Sequence, residues 1–143
     1  MAMTAPVITE LPKTKMQMTS PVITSKDEIM SFVLPFHFKS LSEVPEPTDS
    51  RVRVREIPKR IVAVKTFSGW YSDEEGARQR EQLRALLQAD SLIKDGEAFE
   101  WSVAQYHPPF TLGFLRKNEI WVHLDERKNE KVKELLSRAE NTL

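Results

Sequence analysis

Cysteine is missing from all 143 residues of this chain. Its absence removes disulfides, thiolate nucleophiles, Fe–S clusters and cysteine-ligated zinc together. An excess of charge of one sign is missing as well, since Lys and Arg total 21 and so do Asp and Glu. A balanced chain offers little attraction to a polyanion, so nucleic acid is not an expected partner. No apolar run approaches the roughly 20 residues of a membrane span, and no basic leader precedes an apolar stretch, so a soluble protein with no span is expected. The GxSxG elbow, the P-loop, GxGxxG and HExxH are all absent. Carboxylates are plentiful, but they gather at one helix start and in the terminal helix, where dipole complementarity and solvation account for them. The expectation is a protein that is not an enzyme.

What the chain does contain is a near repeat. Met1 to Thr9 (MAMTAPVIT) returns at Met16 to Thr24 as MQMTSPVIT. The offset is shorter than the roughly 20–50 residues of a solenoid unit, so two neighbouring extended segments are expected rather than a repeat architecture. Pro6 and Pro21 have no donor for a sheet ladder, so each copy reads as an edge or bulged strand. Methionine is adaptable enough to meet a flat apolar ligand and equally serves as core filler. Spacing alone leaves both readings open for Met3 and Met18.

The length suits one domain, burying roughly two thirds of its unfolded surface. Ile29 to Leu34 is a short apolar run ended by Pro35 and reads as a mostly buried strand. Leu41 to Ser50, with Pro45, Pro47 and Asp49, reads as a crossing loop between two halves. Arg51-Val52-Arg53-Val54-Arg55 alternates at period two and predicts a half-exposed strand. Its three arginines are an anion grip or an ordinary solvated face. Ile57 to Arg60 would connect it as a hairpin to a β-branched strand, Ile61 to Phe67.

Ser72 and Glu75 form a capping box that opens a helix from about Asp73 to Gln88. Leu83, Leu86 and Leu87, with Ala77 before them, supply its apolar stripe, and Arg78, Gln79, Glu81, Gln82 and Arg84 its polar face. Further strands are predicted over Phe99 to Tyr106 and Asn118 to Leu124, separated by the rigid bend Tyr106-His107-Pro108-Pro109-Phe110. From Asp125 a charged helix follows, with Val132, Leu135, Leu136 and Ala139 on one side. Strands, one long helix, more strands and a terminal helix amount to an α+β fold with a mainly antiparallel sheet. His37, His107 and His123 have no partner at metal-binding spacing, so a zinc site is not expected.

The two MxMT[AS]PV segments, SFVLP (Ser31 to Pro35), the loop with Pro45, Pro47 and Asp49, AVKTFSG (Ala63 to Gly69), YHPPFTLGFLR (Tyr106 to Arg116) and NEIWV (Asn118 to Val122) occur in a fixed order. In that order and spacing the chain resembles the SOUL haem-binding protein family, close to its plant, algal and bacterial members with a doubled MTxPV segment. The resemblance implies a distorted antiparallel barrel with two flanking helices, built from two similar halves. It covers residues 1–124, leaving 125–143 as a charged C-terminal helix. It begins at the first MTxPV, which implies that the opening strand and first helix of the N-terminal half lie outside this sequence. Haem contacts proposed for animal members fall largely on that helix, so no axial ligand is carried over.

Met3, Met18, Tyr106, Pro108, Pro109, Arg116, Asn118 and Glu119 match the family signature. His107 stands where relatives usually have Asn or Asp, and imidazole is a common haem ligand; a polar cap on the bend is its ordinary reading. Arg116 and Lys117 are candidates to pair propionates at a rim, or ordinary surface cations. The candidate contacts are thus Met3, Met18, Tyr106, His107, Arg116 and Lys117. The ligand implied is haem or a related tetrapyrrole, held non-covalently and without a thiolate, by a carrier or buffer. Two alternatives stand beside this: a protein-interaction module, pairing with a partner or with itself through an exposed sheet edge, and a fragment with an incomplete ligand site. By analogy with relatives, both cytoplasm and plastid are open.

Overall fold

The computed structural model describes residue 16 and residues 19–142. Met3, Met18 and the first copy of the repeat lie outside the described residues. Two units are distinguishable: residues 16, 19 and 34–57 belong to one, residues 20–33 and 58–142 to the other.

The first unit is built from turns. A single 3-10 turn spans Leu41–Glu43, and Glu43 returns its carboxylate to the backbone N–H of Lys39 at 2.7 Å. Arg51 starts no strand. Asp49 accepts from its backbone N–H at 2.9 Å and from its guanidinium at 3.1 and 2.7 Å. Those bonds hold the Asp49 carboxyl below its ordinary range. The expected strand over Arg51 to Arg55, and the hairpin that would follow it, are not formed. Period two only makes a segment fit for a sheet; a ladder needs a partner's backbone, and the arginines here serve turn and solvent instead.

The second unit carries a five-stranded sheet: β1 (Val22–Ser25), β2 (Met30–Phe32), β3 (Ile61–Ser68), β4 (Trp101–Gln105) and β5 (Lys117–Leu124). They lie side by side as β2-β1-β4-β5-β3, every neighbouring pair antiparallel. Two helices, α1 (Asp73–Ala89) and α2 (Glu130–Thr142), complete an α+β fold. The antiparallel α+β class agrees with the sequence, but the sheet among the described residues is open: β2 and β3 are its two edges and do not close a barrel. No helix of the described residues is long and apolar enough to cross a membrane.

β1 is an interior strand, not the edge expected of a proline-bearing segment. Pro21 stands just before Val22, the first residue in register, so its missing N–H costs the ladder nothing. β2 is shorter and wetter than predicted. Met30, Phe32, Ile29 and Val33 are exposed, because a three-residue edge strand is covered on one side only.

α1 begins as its sequence dictates, with Ser72 Oγ accepting from the Glu75 N–H at 3.1 Å and three acidic residues in the first turn. Its inner face is Gly76, Gln79, Leu83 and Leu87, whereas Leu86 and Ala77 face solvent. Gly76 lets the helix close on Tyr71, whose Oη would lie 2.5 Å from any Cβ built there. Buried Gln79 is satisfied at both ends: Lys65 Nζ donates to its Oε1 at 2.6 Å, and its Nε2 donates to Glu75 Oε1 at 2.8 Å. Leu83 and Leu87 join Ile93, Val103, Ile120 and Val122 in one core, and Arg80 and Arg84 cover the rings of Trp101 and Phe99.

α2 docks by its first turn. Asn129 Oδ1 accepts from Lys131 N at 2.9 Å and Val132 N at 3.3 Å, while its Nδ2 donates to Ser91 O at 2.9 Å. Lys131 Nζ reaches Asp90 O at 2.6 Å, and Val132 is buried. Leu136 is half-buried, but Leu135 and Ala139 are exposed, so the predicted stripe covers only the N-terminal part of the helix.

Candidate functional site

The bend predicted at Tyr106 to Phe110 is the start of a built loop that runs to β5. Thr111 N–H donates to Pro108 O at 3.0 Å, and a 3-10 turn spans Gly113–Leu115. Arg116 organises the rest. Only 7 % exposed, it sends Nη1 to the carbonyls of Pro108, Pro109 and Thr111 at 3.0, 3.1 and 3.2 Å. Two prolines in succession restrict the backbone, and a planar donor directed at three carbonyls fixes where that backbone lies.

A second connection ties this loop to the turn after β3. The Arg116 guanidinium lies 4.3 Å from the centre of the Trp70 ring. Gly69 N–H donates to Gly113 O at 2.9 Å, and Asn118 Nδ2 donates to Gly69 O at 2.8 Å. Gly69 has φ of +100°, which glycine alone adopts without strain. Gly113 makes room for Trp70, because a Cβ there would sit 3.0 Å from the indole nitrogen. The result is a scaffold that holds large apolar groups outward: Phe110 is 87 % exposed, Phe114 76 % and Trp70 60 %, with Leu112 and Leu115 also exposed.

Beside the loop lies a polar cluster on β4 and β5. Glu119, 8 % exposed, accepts at Oε2 from Tyr106 Oη at 2.9 Å and from Trp121 Nε1 at 2.7 Å. Lys117 Nζ stands 3.3 Å from its other oxygen and 4.5 Å from the centre of the Tyr106 ring. Burial alone would raise the Glu119 carboxyl, but the bonds from Trp121, Tyr106 and Lys117 outweigh it and leave it below the ordinary 4.5. Burial, followed by the bond to Glu119 and its charge, pushes the Tyr106 phenol up to about 12. The carboxylate is charged and the phenol neutral throughout the physiological range.

Of the residues singled out in the sequence, Tyr106 and Lys117 therefore meet through Glu119, Arg116 is buried scaffold for the loop, and His107 is exposed at the bend. Met3 and Met18 lie outside the described residues. Sequence reasoning carried Glu119 only as a signature residue and missed Trp121 and Trp70 as parts of the site. Period two supplies a signal for the first two, because Lys117, Glu119 and Trp121 alternate onto one face of β5. His123 extends that row; its Nε2 lies 3.2 Å from Ser102 Oγ and its Nδ1 3.3 Å from Arg60 Nη1. Among the described residues no group of three or more His, Asp or Glu could hold a metal ion.

The exposed set on the two tied loops offers apolar area to cover, and Lys117 follows at the loop's end as a cation. A family model described as SOUL heme-binding protein matches residues 1–123 of the chain. No curated protein matches it.

Proposed function

The chain belongs to the SOUL heme-binding protein family, and from that premise we propose that it binds haem or a related tetrapyrrole non-covalently, as a carrier or buffer and not as an enzyme. The observation that carries this reading is the loop from Pro108 to Arg116. A buried guanidinium is committed to holding it, and what the loop gains by being held is the display of Phe110, Leu112, Phe114 and Leu115 beside Trp70. Exposed apolar groups on a fixed frame mark a binding surface.

In this reading the loop excludes water from a ring laid against it. Lys117 pairs an acidic side group of the ligand, and Glu119 keeps Lys117 and Tyr106 in place. Arg116 acts as a positioning residue. His107, exposed at the bend, is the candidate imidazole for the iron, and Met3 and Met18 remain proposed contacts. A haemin titration followed in the Soret region tests this: saturation at one haem per chain supports it, and non-saturating adsorption counts against it.

A second reading, an interaction module or self-association through a sheet edge, draws on β3. This eight-residue strand pairs only with β5 among the described residues and leaves Val64 exposed. Unfolding midpoints that rise with protein concentration would support it; a concentration-independent midpoint with monomeric elution would not.

A further inference from the structure

α1 packs through Leu83 and Leu87 on the face of the sheet that carries Val103 and Ile120. Trp101, Val103 and Gln105 alternate onto that face of β4, and Thr24 of β1, in register with Val103, shares it. Between β1 and α1 a groove of about 290 Å³ is left, close to the lower limit of small-molecule pockets. Thr24 and Gln105 line it from the sheet, and Tyr71, Asp73 and Arg80 from α1 and the turn before it. All five belong to the second unit.

These polar groups are left over from folding. Among the described residues the Tyr71 hydroxyl, the Asp73 carboxylate, the Arg80 guanidinium and the side chains of Thr24 and Gln105 have no hydrogen-bond partner and no counter-ion. Arg80 lies 3.8 Å from the centre of the Trp101 ring, which covers one face of the guanidinium and leaves its N–H edge open. Of the other charged residues at the rim, Lys26 is engaged by Glu100 at 2.7 Å and Glu28 is exposed. Asp73 and Arg80 stand seven residues apart, so they share one side of α1 but are separated by about 10.5 Å of helical rise. Tyr71 lies between them, its Oη against Gly76. Burial and the Asp73 charge raise the phenol while Arg80 opposes them, so it stays a neutral hydroxyl able to donate and to accept.

We propose that this groove is a second ligand site, independent of the loop, which takes a short zwitterionic peptide with its carboxylate at Arg80, its ammonium at Asp73 and its backbone amide at Tyr71 and Gln105. Two opposite charges that face one groove without neutralising each other are completed by a ligand that carries both. A single amino acid holds its charges on one residue, whereas two extended residues span up to about 7 Å, nearer to the helical separation. A guanidinium and a carboxylate form a charge-assisted, two-pronged pair that a neutral amide cannot reproduce. Because the groove and the loop share no residue, this site stands whether or not haem binds.

Calorimetric titration of the whole chain with alanyl-alanine tests it, beside the N-acetylated dipeptide, which lacks the ammonium, and the dipeptide amide, which lacks the carboxylate. Saturable uptake of one alanyl-alanine per chain is expected, with each capped form about tenfold weaker. Asp73→Asn should weaken alanyl-alanine about tenfold and leave the acetylated form unchanged; Arg80→Gln should weaken it likewise and leave the amide unchanged. Asp73 is exposed, so its variant remains informative if Arg80→Gln disturbs Trp101. The Trp101 indole resonances should move on adding the dipeptide, and Phe114→Ser in the loop should change nothing. No saturable uptake, capped forms that bind as well as the free dipeptide, uptake indifferent to both groove variants, or unmoved Trp101 signals would overturn the proposal.

Discussion

Arg116 stacks its guanidinium 4.3 Å from the centre of the Trp70 ring while the same group holds three backbone carbonyls of the following loop. One side chain thereby couples the turn after β3 to the entry of β5. Lysine would supply the charge without the planar fork or the stacking. Arg116→Lys is therefore predicted to cost about 1–3 kcal/mol of stability and to weaken haem binding, as read by urea denaturation and a haemin titration. Unchanged values in both would show that the loop does not depend on this residue.

Gly113 offers a test that leaves Arg116 in place. A Cβ at this position would stand 3.0 Å from the Trp70 nitrogen, closer than ordinary contact, so Gly113→Val must displace the indole. The expected outcomes are a shifted Trp fluorescence maximum and weaker haem binding with the core intact. A native fluorescence spectrum would contradict the close approach.

The Tyr106 and Glu119 pair predicts how stability depends on pH. Glu119 has a folded value below 4.5, so its contribution is present above that pH and is lost as pH falls through the folded value. Tyr106 is raised to about 12, so stability falls as pH rises from 10 towards that value, because the unfolded phenol ionises first. Tyr71, raised by burial and by Asp73, acts in the same direction. Tyr106→Phe should remove part of the alkaline loss; an identical profile would refute the assignment.

His123 is held below the ordinary 6.5, first by burial and then by Arg60, with Glu100 opposing them. Between its folded value and 6.5 the unfolded chain binds the proton and the folded chain does not, so stability rises with pH through that window. Arg60→Gln should raise the His123 value towards 6.5, measured by NMR titration of its ring protons. A value that stays put would mean that burial alone sets it.

Much of the fold is legible in the sequence where the determinants are local. Ser72 and Glu75 announce α1, and the β-branched run from Ile61 and the alternation after Asn118 announce β3 and β5. The failures share a non-local cause. Arg51 to Arg55 has the right period but no ladder, and Gln79 is buried because Lys65, on β3, is there to receive it. Arg116 reads as a surface cation because its acceptors are backbone carbonyls, which carry no sequence signature.

Whether the loop scaffolded by Arg116 is a tetrapyrrole surface is decided by a haemin titration of the native chain beside Phe110→Ser, Phe114→Ser and His107→Ala. A saturable Soret change at one haem per chain is expected. The two serine variants, at exposed positions that leave the core untouched, should weaken it at least about tenfold, in line with roughly 1.5–3 kcal/mol per buried side chain, and the histidine variant should shift the band. Non-saturating adsorption, or saturable binding that neither serine variant alters, would contradict it.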